Sequence, residues 1–459
     1  MSFRTLINIC LILCTCSALS ACLAPRTGGM QEVSNLPESW PGDTTSTEPA
    51  PEAWLATFEA PFLTAAVEQA VRDNYDLKQQ ALAVEQARIQ EKLAGADRLP
   101  SLNLSLSGQR FRPLGDFAGI SEQVDISATA SFELDLWGKL SDRQHQAQLN
   151  RAATEMRYLS AQRTLAANVV RASFNLISAK QLQQVFNQRL DNLQQGLDVI
   201  EKGYRSGLNE ALDVYLALNT VEQERANVAN QRQVSLEART SLELLLARYP
   251  SAEIVMNESL PALPALPAVG LPADLLQRRP DIQAAWLDLL AADAELAVAH
   301  KNRFPTLDLT GNVRDADSAV SRLLNGGPLA FSAAASLFQP LFQGGRLKAL
   351  EEQAALVVQQ LEQHYLDVVF TSIAEVTNEL SRSVTLNDRF NAIVQAEVNA
   401  SAALTLAFDQ YQKGLVTFTT VLDAQRRAFD AQTAVVQLRN QRLQTRVALL
   451  LALGGHYQS

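Results

Sequence analysis

The chain has 459 residues, room for two or three ordinary domains. A net charge of −10 with no basic run argues against nucleic acid as a partner. With 19% charged residues and a mean hydropathy near zero, it is not a bundle of apolar membrane-spanning helices.

The N-terminus reads as an export signal. Arg4 supplies the positive end and Leu6 to Leu19 the apolar stretch. Leu19-Ser20-Ala21-Cys22 then has the form of a bacterial lipobox, a small-residue cleavage site placed before a thiol that accepts lipid. The four cysteines, Cys10, Cys14, Cys16 and Cys22, all sit at or before that point. A mature chain keeps only Cys22, occupied by lipid, so a disulfide or zinc site within one mature chain is not expected. Ala24–Pro51 is rich in Pro, Gly, Ser and Thr and reads as an extended segment.

Beyond it the chain is written twice. Asn74-Tyr75-Asp76-Leu77 pairs with Arg279-Pro280-Asp281-Ile282, and Arg98-Leu99-Pro100 with Arg303-Phe304-Pro305, at an offset of 205. Gly138-Lys139-Leu140 pairs with Gly345-Arg346-Leu347, and Tyr204–Leu208 with Tyr411–Leu415, at an offset of 207. The change falls between the strands of each pair, where a loop absorbs it. Each half predicts a leading helix of roughly 30–37 residues, two strands, a very long helix, a Gly turn and a returning helix of about 40 residues. The long helices, Gly138 to Gly203 and Gly345 to Gln410, contain no proline and measure roughly 100 Å each.

The strands are the most telling elements. In Asp125–Leu136 the residues Ile126, Ala128, Ala130, Phe132, Leu134 and Leu136 are apolar and those between are polar or small. That period of two excludes a helix and suits a strand with one face to lipid and one to water. Leu102, Leu104 and Leu106, then Leu307, Leu309 and Val313, then Leu329, Phe331, Ala333, Ala335 and Leu337 repeat the pattern. Loops near Pro113–Glu122 and Asp315–Pro328 join each pair, and Trp137, Phe304 and Phe342 fall at strand ends, where interfacial aromatics collect. Four strands cannot close a membrane barrel, and lipid does not tolerate open sheet edges. Several copies must therefore share one barrel, and a wet passage favours three chains and twelve strands over two and eight.

The long helices need partners along their length. Leu182, Phe186, Leu190, Leu193, Leu197 and Ile200 form one seam, and Leu415, Phe418, Leu422, Phe429, Val436, Leu443, Val447 and Leu450 another, both at coiled-coil steps. The fold class that follows is mainly α with a small transmembrane β part, built from a duplicated helix–strand–strand–helix–helix unit. The expected divisions are a signal peptide at 1–21, a lipidated extended segment at 22–58, a first repeat at 59–250 with strands near 101–112 and 124–137, a Pro-rich connector at 251–272, and a second repeat at 273–459 with strands near 305–315 and 329–342.

The pattern resembles the TolC-like outer membrane efflux proteins, and within them the lipidated OprM/NodT branch. The resemblance rests on the lipobox, Glu133-Leu-Asp-Leu-Trp-Gly138, Leu276-Gln-Arg-Arg-Pro-Asp281, Phe304-Pro305, Gln339-Pro-Leu-Phe-Gln-Gly-Gly-Arg346 and Val421-Leu-Asp-Ala-Gln-Arg426. It implies a homotrimer whose twelve-stranded barrel sits in outer membrane lipid above a long periplasmic α-helical barrel. It also implies a passive channel that takes small molecules from an inner-membrane transporter, usually of the resistance–nodulation–division class, through a periplasmic adaptor protein. Leu23 after the cysteine, in place of Asp, favours the outer membrane by the same resemblance.

The resemblance assigns site residues as well. Arg205, Ser206, Gly207 and Leu208, with Lys413, Gly414 and Leu415, match the adaptor-docking tip. Asp423 matches a constricting aspartate at the closed periplasmic tip, with Thr419 and Thr420 in the same segment. Asp213 and Tyr411 match a network that supports the gate. Three crowded carboxylates would raise a pKa or call for a cation at the Asp423 ring. Thr420 stands where some relatives have an acidic residue and Val416 where one has a basic residue, which implies a less charged gate.

No phosphate-cradling loop or catalytic motif is present, and His145, His300, His364 and His456 are isolated, so no enzyme and no cofactor beyond lipid on Cys22 is expected. Two rivals remain: a duct for type I protein secretion, and a lipid-anchored coiled-coil scaffold without a pore. The lipobox speaks against the first and the strand alternation against the second.

Overall fold

A computed structural model of the chain describes residues 40, 53–112, 121–256, 258–317 and 329–457. The signal peptide, Cys22, nearly all of the extended segment and most of both strand-joining loops lie outside the described residues. The chain divides into two compact units. Among the described residues, one comprises Leu82–Met156 and Gln283–Asp367, and the other residues 40 and 53–81, Arg157–Ile282 and residues 368–457.

The duplication is visible element by element. The first repeat contains α1 (Pro61–Asp73), α2 (Tyr75–Ala96), β1 (Ser101–Phe111), β2 (Ser121–Leu134), α3 (Lys139–Arg205) and α4 (Ala211–Leu245). The second contains α5 (Leu275–Arg278), α6 (Pro280–Lys301), β3 (Thr306–Asp317), β4 (Ala330–Phe338), α7 (Arg346–Gln412) and α8 (Phe418–Ala452). The long helices α3 and α7 have 67 residues each, and the returning helices α4 and α8 have 35 each. Among the described residues no helix is long and apolar enough to cross a membrane.

Each leading helix, expected unbroken, is broken once and at equivalent positions. Asn74 leaves the helix at ψ 130°, and its Oδ1 accepts the Leu77 amide at 3.0 Å, capping α2. Arg279 leaves at ψ 116° because Pro280 follows it and disfavours helical backbone before it.

In the strand-bearing unit the sheet is antiparallel, in the order β1-β2-β3-β4. The pairs Ser101↔Ser131, Leu134↔Leu307 and Leu307↔Leu337 fix the register. That register gathers the alternating leucines, Ile126, Phe132, Val313 and Phe331 on one face. Asn103, Ser105, Thr129, Asn312 and Ser332 share the other, where Asn312 donates to the Thr129 hydroxyl at 2.7 Å. Every residue of β1 and β4, the two unpaired edges, is exposed in the single chain.

The strand ends differ from expectation. β2 runs from Ser121 to Leu134 rather than 124–137, because Asp135 turns to accept the Leu140 and Ser141 amides at 3.0 and 2.9 Å and starts α3. β4 stops at Phe338, not 342, while β3 continues to Asp317. Trp137 is half-buried against Phe304, with ring centroids 5.5 Å apart, and donates to the Pro305 carbonyl at 2.7 Å; Phe342 is exposed. His300, isolated in the sequence, bonds Glu351 at 2.7 Å and packs edge-on against Phe304.

In the other unit Trp54, Phe58, Leu63 and Val67 pack against Val169, Phe174 and Ile177 of α3, Leu242 of α4 and Leu443 and Val447 of α8. The connector is held by two buried charges. Glu243 accepts the amides of Ala252, Glu253 and Ile254 at 2.7–2.9 Å. Burial alone would raise its carboxyl, yet these three donors hold it below the usual range. Arg446 donates to the carbonyls of Pro264 and Ala265, and burial, then Arg442, pulls it down to about 10. The Trp40 indole donates to Gly270 at 3.0 Å.

Candidate functional site

The two turns that reverse the long helices have one construction. In the first, the Leu208 amide donates to Gly203 at 2.8 Å and the Gly207 amide to Tyr204 at 3.0 Å. In the second, Leu415 donates to Gln410 and Gly414 to Tyr411, both at 2.9 Å. This is the Schellman closure of a helix, and it requires a left-handed residue at the penultimate position. Gly207 and Gly414 supply it at φ +72° and +71°. The consequence is that Leu208 and Leu415 are thrust outward, 81% and 71% exposed. Arg205 and Lys413 are exposed too, paired one turn back with Glu201 and Asp409. The tip residues predicted from sequence therefore stand on two matching turns, each presenting an apolar side chain beside a cation.

Behind the turns lies a small core of Ile200, Ala217, Ala407, Phe418 and Val421. Tyr411 packs on Phe418 at 5.5 Å and donates its hydroxyl to Asn209 Oδ1 at 3.1 Å. Burial first, and the charge of Asp213 second, push its phenol up. The structure thus brings Tyr411 and Asp213 within electrostatic reach, but the hydrogen-bond partner is Asn209. Asn209 also donates to the Ile200 carbonyl at 3.0 Å, so one amide ties the first turn to the second. Sequence reasoning missed it; the one signal is that its counterpart at offset 207 is Val416, a break in the repeat.

Asp423 lies on the first turns of α8, with Thr419 and Thr420 just before it. The Thr417 hydroxyl bonds both, at 2.7 and 3.3 Å. The Asp423 carboxylate is half in water and is held by the chain's own cations, Arg427 Nε at 2.8 Å and Arg426 Nη2 at 2.6 Å. These bonds, Arg427's first, keep it below the usual carboxylate range rather than above it. Within one chain, guanidiniums stand where a cation was expected. The i+3 and i+4 spacing of Arg426 and Arg427 carried that signal in the sequence. The bonds of Asp423 and those of Tyr411 form two separate sets.

Arg189 of α3 and Glu224 of α4 pair at 3.2 Å next to Asp423, both well buried. The Arg189 guanidinium lies 4.4 Å from the Phe429 ring of α8 and 5.0 Å from Phe186. It clamps the helix that carries Asp423 to the other two. Among the described residues no cluster suited to a metal ion occurs.

A family model described as outer membrane efflux protein matches residues 66–248 and 271–455, most of the chain. The chain belongs to the outer membrane efflux protein family. It is similar to the cation efflux system protein CusC of Escherichia coli O6:H1, 32% identical over 410 residues with 88% of each chain covered. It is also similar to the pyoverdine export outer membrane protein OpmQ of Pseudomonas aeruginosa, 30% identical with 99% of this chain and 97% of the relative covered. A crystal structure of CusC superposes with a TM-score of 0.83 at 29% identity, covering 94% of this chain and 99% of that one. The fold is that of the efflux channels, mainly helical with a four-stranded sheet, and the function is that of an outer membrane efflux component.

Proposed function

We propose that three copies of this chain close one twelve-stranded barrel, and that the resulting tube is the passive exit duct of a tripartite efflux pump. The carrying observation is the four-stranded antiparallel sheet with segregated apolar and polar faces and two unpaired edges. A spanning sheet must leave no edge open to lipid, and pairing β4 of one copy with β1 of the next leaves none. Cargo is set elsewhere in such a system: similar scaffolds serve a cation efflux system and a pyoverdine exporter. The exposed turns around Leu208 and Leu415 are the surface we assign to the periplasmic adaptor. The inner-membrane transporter is assigned to the resistance–nodulation–division class, and lipid to Cys22, on the resemblance set out above.

Light scattering of the detergent-purified protein, with conductance in planar bilayers, tests the reading. Trimers that conduct are expected; monomers, or trimers without channels, overturn it and favour the scaffold. In the gate, three Asp423 carboxylates enter the tip together with six guanidiniums from Arg426 and Arg427, so the constriction is a ring of ion pairs. Asp423→Ala removes the acceptor of each and is expected to enlarge basal conductance. An unchanged conductance rejects the gate. A mass spectrum of the mature N-terminal peptide tests the lipid on Cys22.

A further inference from the structure

The polar face of the sheet is almost free of charge. Among its described side chains the charged ones are Asp125, Glu133, Asp308 and Arg314; the rest are neutral and mostly small. They fall in two sets. Glu133 lies opposite Asp308 at the helix-proximal end, where Lys139 bonds Glu133 at 2.5 Å. Arg314 lies opposite Ser127, six residues further along β3. Six residues of strand span roughly 20 Å, more than twice the Debye length of about 8 Å at physiological salt. The two sets therefore act on a passing solute separately.

The outer set is not an even pair. The Arg314 Nε donates to Asp125 Oδ1 at 2.7 Å, its Nη2 reaches the same oxygen, and Gln123 Nε2 donates there at 3.2 Å. Asp125 is thereby covered, its side chain 18% exposed, while that of Arg314 remains 48% exposed. The cross-strand neighbours Ser127 and Ala330 are too small to shield it. What this level of the face shows to water is a guanidinium, braced by the carboxylate beneath it.

We infer that Arg314, positioned by Asp125, is the charge-selecting residue of the outer half of the strand barrel and favours anionic small solutes there. The inference rests on the three-chain barrel proposed above, which places three such guanidiniums around one lumen. A ring of fixed charge biases which ions enter a pore.

The test is the reversal potential of the purified full-length protein in planar bilayers, in a potassium chloride gradient near 0.1 M. Arg314→Gln leaves three uncompensated carboxylates and is expected to raise the cation-to-anion permeability ratio by about twofold or more. Asp125→Asn leaves three unneutralised guanidiniums and is expected to lower it, but by less, because the charge removed is the covered one. Arg314→Lys retains the charge and the wild-type ratio. All shifts shrink near 1 M salt, where the Debye length is about 3 Å. A purely structural pair predicts the same change from either partner, so shifts of one sign, or none in channels that assemble and conduct, overturn the inference. A wild-type protein that forms no conducting channel overturns the barrel reading and this inference with it.

Discussion

At the break in its leading helix the first repeat carries Asn74 and the second Arg279, and both reach the same place on a returning helix. The Asn74 amide donates to the Leu245 carbonyl at 3.0 Å; the Arg279 guanidinium donates to Ala452 at 3.2 Å, the residue at offset 207. One backbone geometry is held by a neutral side chain in one repeat and by a charged one in the other. Arg279 also grips Asp281 at 2.6 Å and Glu375 at 2.7 Å. Both repeats break the helix at the same place, and the second carries an ion-pair network at that point. Arg163, Arg171 and Glu379 surround the same hollow.

The largest expected effect separates those two positions. Arg279→Met leaves two carboxylates and a carbonyl without their donor. Because Asp281 and Glu375 stay partly in water, the loss sits near the low end of the range for broken buried pairs, about 3 kcal/mol. Asn74→Ala removes a cap and one neutral bond and costs about 1 kcal/mol. Guanidinium unfolding of the detergent-solubilised protein measures both, and equal losses would deny the contrast. Acid sharpens it. Burial alone would raise the Asp281 carboxyl, but the bond and charge of Arg279, with the backbone amides of Ile282 and Asp281, together hold it below the usual range. A carboxyl lowered in the fold stabilises above its unfolded value of about 3.9 and loses that contribution as pH falls through the folded value. The stability gap between wild type and Asp281→Asn is expected to be flat from about pH 5 to 7 and to close below about pH 4.

The ends of the returning helices give smaller effects, of opposite sign in the two repeats. Both close in the same way, through a left-handed residue: Ala247 at φ +54° in the first repeat and Gly454 at φ +70° in the second. A Cβ on Gly454 would lie 2.9 Å from the Arg278 carbonyl oxygen, backbone that cannot step aside. Gly454→Ala is expected to cost about 2 kcal/mol from left-handed strain and this clash. Ala247→Gly relieves the same strain, is partly offset by the freer unfolded chain, and is expected to stabilise by about 0.5 kcal/mol. Two substitutions of the same sign in a thermal melt would break the equivalence of the repeats.

What the sequence carried, and what it withheld, follows the range of each interaction. Alternation in Ile126–Leu134 and the matched Gly207 and Gly414 are local signals, and the sheet and both tip turns were legible from them. The breaks at Asn74 and Arg279 are also local, yet both went unread; Pro280 marks the second, while no proline follows Asn74 to mark the first. The end of β2 was overrun because Leu136 continues its apolar rhythm past the point where Asp135 caps α3, and that of β4 because Phe342 resembles a strand-end aromatic although Gln339–Pro340 has already left the sheet. The acceptor of Tyr411, in the facing turn, and the clamp of Arg189 on Glu224 and Phe429 join residues from separate elements, and spacing along one helix cannot report them. Arg426 and Arg427 were within reach. Their i+3 and i+4 positions already opposed a bare carboxylate ring at Asp423.

A third contrast lies in the one amide that distinguishes the two tips. Asn209 accepts from the Tyr411 hydroxyl and donates to the Ile200 carbonyl, whereas Val416 at the equivalent place does neither. The first turn makes room for it: a Cβ on Gly203 would clash with the Asn209 amide, and the second turn has Gln410 there. Asn209→Val copies the second repeat into the first and loses two neutral hydrogen bonds at a half-wet site, about 1 kcal/mol of local stability. That is about a fivefold rise in the opened population of the tip, and trypsin cleavage at Arg205 and Lys413 follows that population when reclosing is fast. Both sites are expected to be cut about five times faster, because Asn209 joins the two turns. Acceleration at Arg205 alone would mean that the turns open independently and that Tyr411 needs no partner.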